Sequence, residues 1–221
     1  MPIAIFDLDN TLLSGDSDYL WGTFLVERGI VDGAYYEREN DRFYQEYKEG
    51  RLDIFEFLRF SLRPLRDNDP QLLRQLREEY IEQKIDPIIP ESSRRLISKH
   101  REAGDLLMII TATNAFVTAP IAKRLGIGHL LATEPEVIDG HFTGNVKGEP
   151  CFRDGKVNRL NLWLSEHAMD LKGSWFYSDS HNDIPLLERV ANPVAVDPDA
   201  MLAELARERS WPVISLHGSG P

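Results

Sequence analysis

Ile3-Ala4-Ile5-Phe6 is an uninterrupted apolar run that stops at Asp7-Leu8-Asp9-Asn10-Thr11-Leu12, with Asp16 and Asp18 a few residues further on. A run this short, rich in β-branched and aromatic side chains, predicts a strand buried on both faces. Three more runs of the same kind, Leu106–Ile110, Trp175–Tyr177 and Val194–Val196, are separated by segments of helical periodicity. That alternation predicts an α/β fold with a largely parallel sheet.

Between the first and second runs the pattern is helical throughout: Leu20, Trp21, Phe24 and Leu25, then Phe55, Leu58, Leu62 and Leu65, then Leu73, Leu76 and Tyr80. Asp69-Pro70 predicts a helix start, with a capping carboxylate and proline in the first turn. Two prolines in Ile85–Pro90 break the pattern where the chain would return to the sheet. Residues 15–88 are therefore expected to form a helical insertion, with 1–14 and 89–221 as the core domain. Its aromatic residues between 19 and 60 are expected mostly in helical core, one or two of them lining a pocket. Glu134–Ile138 and His141–Val146 flank Asp139-Gly140, a two-residue hairpin signal. The last residues, His217 to Pro221, are expected to be a loose tail.

With 36 acidic against 25 basic residues, the formal charge of −11 repels phosphate polymers and disfavours nucleic acid as a partner. No apolar run approaches the roughly 18 residues needed to cross a bilayer. Asp7 and Asp9 interrupt the N-terminal apolar segment, so no secretory signal is expected and a cytoplasmic location is. The single cysteine, Cys151, permits no intrachain disulfide and is expected to be a small buried side chain.

Ligands of an open parallel sheet bind beyond the carboxyl ends of its strands. The residues there are Asp7, Asp9 and Thr11 after the first run, Thr111 after the second, and Asp179 and Asp183 after the third. Lys156 stands in a helical pattern with Leu160 and Leu164. Carboxylates gathered at one sheet edge repel each other unless a cation sits among them, and hard oxygen donors suit Mg²⁺. A carboxylate nucleophile in that setting points to phosphoryl transfer through an aspartyl-phosphate. Thr111 and Lys156 would meet the phosphoryl oxygens. Thr113 and Asn114 compete with Thr111 for that role or as helix caps, and Lys147 competes with Lys156.

Asp7-Leu8-Asp9-Asn10-Thr11-Leu12, the strand ending at Thr111, Lys156, and Asp179-Ser180-His181-Asn182-Asp183 resemble the four ordered motifs of the haloacid dehalogenase superfamily. The helical insertion after the first motif and Ala191-Asn192-Pro193-Val194-Ala195-Val196 are similar to its phosphoserine-phosphatase-like branch. The resemblance implies a Rossmann-like core with a helical C1-type cap. It implies Asp7 as nucleophile and metal ligand, and Asp9 as general acid and base that also binds the metal through its carbonyl. Asp179 would be a Mg²⁺ ligand, Thr111, Lys156 and Asn182 would hold the phosphate, and Asp183 would stand behind them, orienting Lys156. Ser180 and His181 fill a gap where the family has glycine, and His181 is expected to shape that loop or touch substrate. The other histidines are expected at surface or hairpin positions.

In that branch an acidic residue nine positions after the nucleophile meets the substrate's amino group; the position is Asp16, which is equally a candidate N-cap. An amine-bearing phosphate monoester is the expected small-molecule partner, with histidinol phosphate and phosphoserine level. Phosphoserine would need an arginine from the cap, where Arg59 and Arg63 are candidates. The alternatives are phosphotransfer to an acceptor alcohol and a phosphoacceptor signalling domain. The chain is expected to act as a monomer or homodimer.

Overall fold

The computed structural model describes residues 1–218. Six parallel strands form the sheet: β1 (Ile3–Phe6), β2 (Leu106–Asn114), β3 (His129–Thr133), β6 (Trp175–Ser178), β7 (Asn192–Val196) and β8 (Val213–Ile214). β4 (Pro135–Ile138) and β5 (His141–Val146) make a separate antiparallel hairpin across Asp139-Gly140. The main sheet runs in the order β3-β2-β1-β6-β7-β8, and all its pairings are parallel. The chain works outward from β1 in one direction and then, from β6, in the other. The switch point therefore lies between β1 and β6, which puts the ends of these two strands at the natural ligand crevice.

Strand alternation sorts the core into two layers. Ile3 and Ile5 pack with Met108, Ile110, Phe176 and Leu160 on one side of the sheet. Ala4 and Phe6 pack with Ile109, Tyr177 and Ile97 on the other. The helices of the core domain that cover these faces are α6 (Glu91–Glu102), α7 (Ala115–Arg124), α8 (Asp154–Glu166), α9 (Ile184–Leu187) and α10 (Ala200–Arg209). No helix among the described residues is long and apolar enough to cross a membrane.

Between β1 and α6 the chain forms α1 (Ser17–Glu27), α2 (Gly33–Lys48), α3 (Ile54–Ser61), α4 (Arg63–Asp67) and α5 (Pro70–Tyr80). Asp69 caps α5 as the sequence predicts, accepting from the Gln71 and Leu72 N–H groups. Beyond α5 the chain continues through a π-helical turn (Ile81–Ile85) and a 3₁₀ turn (Asp86–Ile88), so helical structure runs as far as Ile88. A third cluster, Tyr36, Phe43, Leu52 and Phe60, lies among these helices. Phe152, from beyond β5, packs into it from the core domain.

Four expectations change. β2 extends to Asn114, so Thr111 lies inside the strand. β3 and β8 carry too little apolar pattern to stand out, and both are edge strands. His100 is buried, with Nδ1 2.7 Å from Asp105 Oδ2 and Nε2 2.8 Å from the Tyr177 hydroxyl. His217 is anchored, its Nε2 2.9 Å from the Thr11 carbonyl oxygen; residues 219–221 of the expected tail lie outside the described residues.

Candidate active site

The Asp7 N–H donates to the Tyr177 carbonyl at 2.9 Å, extending the β1–β6 pairing one residue beyond the strand. The chain then turns sharply through Asn10, whose φ of 52° lies in the left-handed region that asparagine tolerates. The turn is closed by Asn10 N–H to the Gly15 carbonyl at 2.9 Å and Leu13 N–H to Leu8 at 3.0 Å. Thr11 Oγ1 donates to Asp179 Oδ1 and accepts from the Asp179 N–H, both at 3.0 Å. The hydroxyl thus fastens the first turn to the end of β6 and fixes Asp179 beside Asp7.

Lys156 occupies the first turn of α8, and its Nζ lies 2.8 Å from both Asp7 Oδ1 and Asp183 Oδ2. Ser178 Oγ donates to the same Asp183 oxygen at 2.7 Å. Gly155 allows this approach: a Cβ there would stand 2.1 Å from the Pro150 carbonyl oxygen, so any side chain would push α8 away. Burial opposes the Lys156 charge, but Asp183 and Asp7 outweigh it and hold the ammonium above its ordinary pKa. Burial pushes the Asp7 carboxyl up to about 7 against the pull of Lys156. Lys147 is exposed on the hairpin side and takes no part.

Thr111 Oγ1 lies 3.4 Å from Asp9 Oδ2, and Thr113 Oγ1 donates to the same oxygen at 2.8 Å. Asp9 Oδ1 accepts the Ser17 N–H at 2.6 Å, so its carboxylate spans from β2 to the start of α1. Asn114 caps α7, its Oδ1 accepting the Val117 N–H at 3.2 Å. Of the three rivals, Thr111 and Thr113 both face the Asp9 carboxylate, and Asn114 is the helix cap. Thr113, a rival of Thr111 by sequence, proves to share its Asp9 partner, as period-two alternation along one strand face allows.

Asp16 is the N-cap that one of its two readings expects, and its place is compatible with the other. Its carboxylate caps α1, accepting from the Asp18 and Tyr19 N–H groups at 2.9 Å, and it lines the cavity above Asp7. Burial, with the Asp9 charge added, pushes its carboxyl up to about 7. The cavity opens to solvent, and its empty space, the open mouth included, is about 730 Å³. Its upper wall is aromatic, with Tyr19, Phe43, Tyr44, Tyr47 and Phe57, more than the one or two residues expected. Arg59 and Arg63 are exposed and stand outside it; Arg63 pairs with Asp67 at 3.2 Å.

Asn182 lines the cavity too, but its amide is engaged: Oδ1 accepts from Arg153 Nε at 2.9 Å, and Nδ2 donates to the Tyr47 carbonyl at 3.3 Å. Arg153 also donates to the Gly50 carbonyl. These contacts tie the end of α2 to the core domain, a task distinct from phosphate binding. His181 Nδ1 lies 2.7 Å from Asp199 Oδ2, which also accepts the His181 N–H, so this histidine shapes the loop. Cys151 is buried, and burial pushes its thiol up to about 12, which removes it as a nucleophile.

The donors fit a hard divalent cation. Among the described residues no three His, Cys, Asp or Glu side chains converge on one point. The expected set needs only two carboxylates, Asp7 and Asp179, and the Asp9 carbonyl. Burial, then the Asp7 and Asp183 charges, hold the Asp179 carboxyl well above its ordinary pKa. Lys156 alone does not balance these groups, and an added cation would.

A family model described as haloacid dehalogenase-like hydrolase matches residues 4–188. A histidinol-phosphatase of Neisseria meningitidis is 43% identical over 217 residues, covering 96% of this chain and 98% of that protein. A phosphoserine phosphatase of Mycobacterium tuberculosis is 36% identical over 215 residues, 95% of this chain and 69% of that one. A crystal structure of a Bordetella pertussis protein of unknown function superposes with a TM-score of 0.92 at 44% identity, covering 97% of this chain and 98% of that one.

Proposed function

The chain belongs to the haloacid dehalogenase-like hydrolase family and is a phosphatase; from that premise we propose that it hydrolyses a small, amine-bearing phosphate monoester through an aspartyl-phosphate on Asp7, with Mg²⁺ as cofactor. In the first step an Asp7 oxygen attacks phosphorus and the P–O bond to the leaving alcohol breaks. Asp9, steered by the Ser17 N–H and Thr113, gives its proton to that oxygen. In the second step Asp9 takes a proton from water, whose oxygen attacks phosphorus, freeing Asp7 and inorganic phosphate. Lys156 and Thr111 neutralise and orient the phosphoryl oxygens, and Asp183 holds Lys156 in place. Mg²⁺, held by Asp7, Asp179 and the Asp9 carbonyl, would supply charge opposite the developing negative oxygens. Residues 15–88 serve as the cap that excludes bulk water.

One observation carries the substrate reading. Of the residues lining the cavity only Lys156 is a cation, and Asp7 and Asp183 already engage it. The cavity thus holds no receptor for a substrate carboxylate, while Asp16 faces it ready for an ammonium. That favours an amino-alcohol phosphate such as histidinol phosphate over phosphoserine, in line with the Neisseria relative. With purified enzyme and Mg²⁺, kcat/KM for histidinol phosphate should exceed that for phosphoserine by about tenfold or more. The reverse order would contradict the reading.

The same assignment sets a pH dependence. Asp16 must be ionised to hold an ammonium, and its carboxyl titrates about 7, so its protonated fraction grows as the pH falls below that value. The ratio of kcat/KM for O-phosphoethanolamine, whose one amine stays protonated in this range, to that for phenyl phosphate, which has no amine, should fall by up to about tenfold per pH unit below 7. It should level off above 7, and Asp16→Asn should flatten the profile. A ratio independent of pH in the unmodified enzyme would refute the role of Asp16.

A further inference from the structure

Asp18 lines the same cavity as Asp16, and the resemblance assigns it nothing. Its Oδ1 accepts from Asn114 Nδ2 at 3.2 Å. The Asn114 amide has no freedom to turn, because its Oδ1 caps α7 by accepting the Val117 N–H. Nδ2 must therefore face Asp18, and the carboxylate is held in place by a group fixed in the core domain. No Lys, Arg or His among the described residues makes an ion pair with Asp18. Burial, then the Asp16 and Asp9 charges, hold its carboxyl well above the ordinary range. A charge kept out of water costs free energy unless something pairs with it. The cavity's lone cation is already committed, so the partner must arrive with the ligand.

Asp16 and Asp18 do not serve one group between them. Residues two apart at a helix start do not face each other. The Asp16 carboxylate folds over the N-terminus of α1 to accept the Asp18 and Tyr19 N–H groups. Asp18 turns toward α7 instead. Aromatic side chains, Tyr19 and Tyr44 among them, line the same cavity and would suit a flat ring.

Resting on the proposed amine-bearing substrate, we infer that Asp18, positioned by Asn114, receives a second nitrogen-borne cation, so the preferred substrates are dibasic: a phosphate monoester with an ammonium for Asp16 and an imidazolium or second ammonium for Asp18. A charged hydrogen bond of this kind separates ligands that possess the second group from those that lack it.

The test compares two amine-bearing esters, histidinol phosphate with two nitrogen functions and O-phosphoethanolamine with one, in the unmodified enzyme and in Asp18→Asn. Asparagine keeps the shape and removes only the charge. The ratio of kcat/KM for the first ester to that for the second should fall by about tenfold or more in the variant, mainly through KM. A cooperative melting transition no lower than that of the unmodified enzyme will show that the variant is folded. A ratio that moves less than about threefold, or equal loss on both esters, overturns the role of Asp18 and leaves that of Asp16 standing. If the unmodified enzyme instead turns over phenyl phosphate, which has no amine, as well as both esters, the underlying amine-pocket reading fails, and the inference with it.

Discussion

Asp7→Asn enzyme is expected to lose turnover by about 10⁴-fold or more, measured by phosphate release with saturating Mg²⁺. The amide fills the same volume, and the surrounding hydrogen bonds tolerate it, so the protein should fold. What it lacks is the nucleophile: a neutral amide oxygen cannot take the phosphoryl group. A merely structural Asp7 would give the opposite result. Its replacement would leave turnover near normal in whatever protein still folds. Loss of activity without loss of fold is therefore the informative outcome, and near-normal turnover would end the aspartyl-phosphate account.

Lys156→Ala should damage both stability and rate. Lys156 is buried between Asp7 and Asp183, 2.8 Å from each, and nothing else cationic lines the cavity. Removing one partner of a buried ion pair costs about 3–5 kcal/mol. In a chain of this size that is a fall in melting temperature of about 10 °C. The loss should grow with pH, by the following linkage. A carboxyl whose folded pKa lies above its unfolded value of 3.8 adds stability at low pH and loses that contribution as the pH rises through the folded value. Without Lys156 the Asp7 value, already about 7, moves further up. The variant should thus lie nearest the unmodified protein at pH 5 and furthest below it at pH 8. Turnover should fall by about 10²-fold or more, because the transferring phosphoryl loses its charge partner. A melting temperature that falls equally at both pH values would show that the carboxylates do not depend on Lys156.

The parts of this molecule that were legible in its sequence are those set by local pattern. Ile3–Phe6 followed by Asp7 marks a buried strand and the group at its end, and Lys156 ahead of Leu160 marks a helix start close to the sheet. The Asp16 cap was legible because a capping carboxylate and its N–H partners lie within three residues. What stayed hidden depends on contacts between distant residues. His100 in α6 finds Tyr177 far along the chain in β6, and Asn182 finds Tyr47 in α2. Neither pairing leaves a periodic trace. Helical spacing also cannot tell a face packed on core from one that walls a cavity, and Phe43, buried in the third cluster, does both. Thr113 was named as a rival of Thr111, but its partner, Asp9, lies over a hundred positions away in the chain and left no local trace.

The central claim is a covalent phosphate on Asp7. Enzyme turning over histidinol phosphate with Mg²⁺, quenched in acid within milliseconds and mapped by peptide mass spectrometry, tests it most directly. The account predicts one added phosphoryl group on the peptide that carries Asp7, lost on treatment with hydroxylamine and absent from Asp7→Asn. Phosphate on any other residue, or steady turnover with no labelled peptide at any quench time, would contradict it.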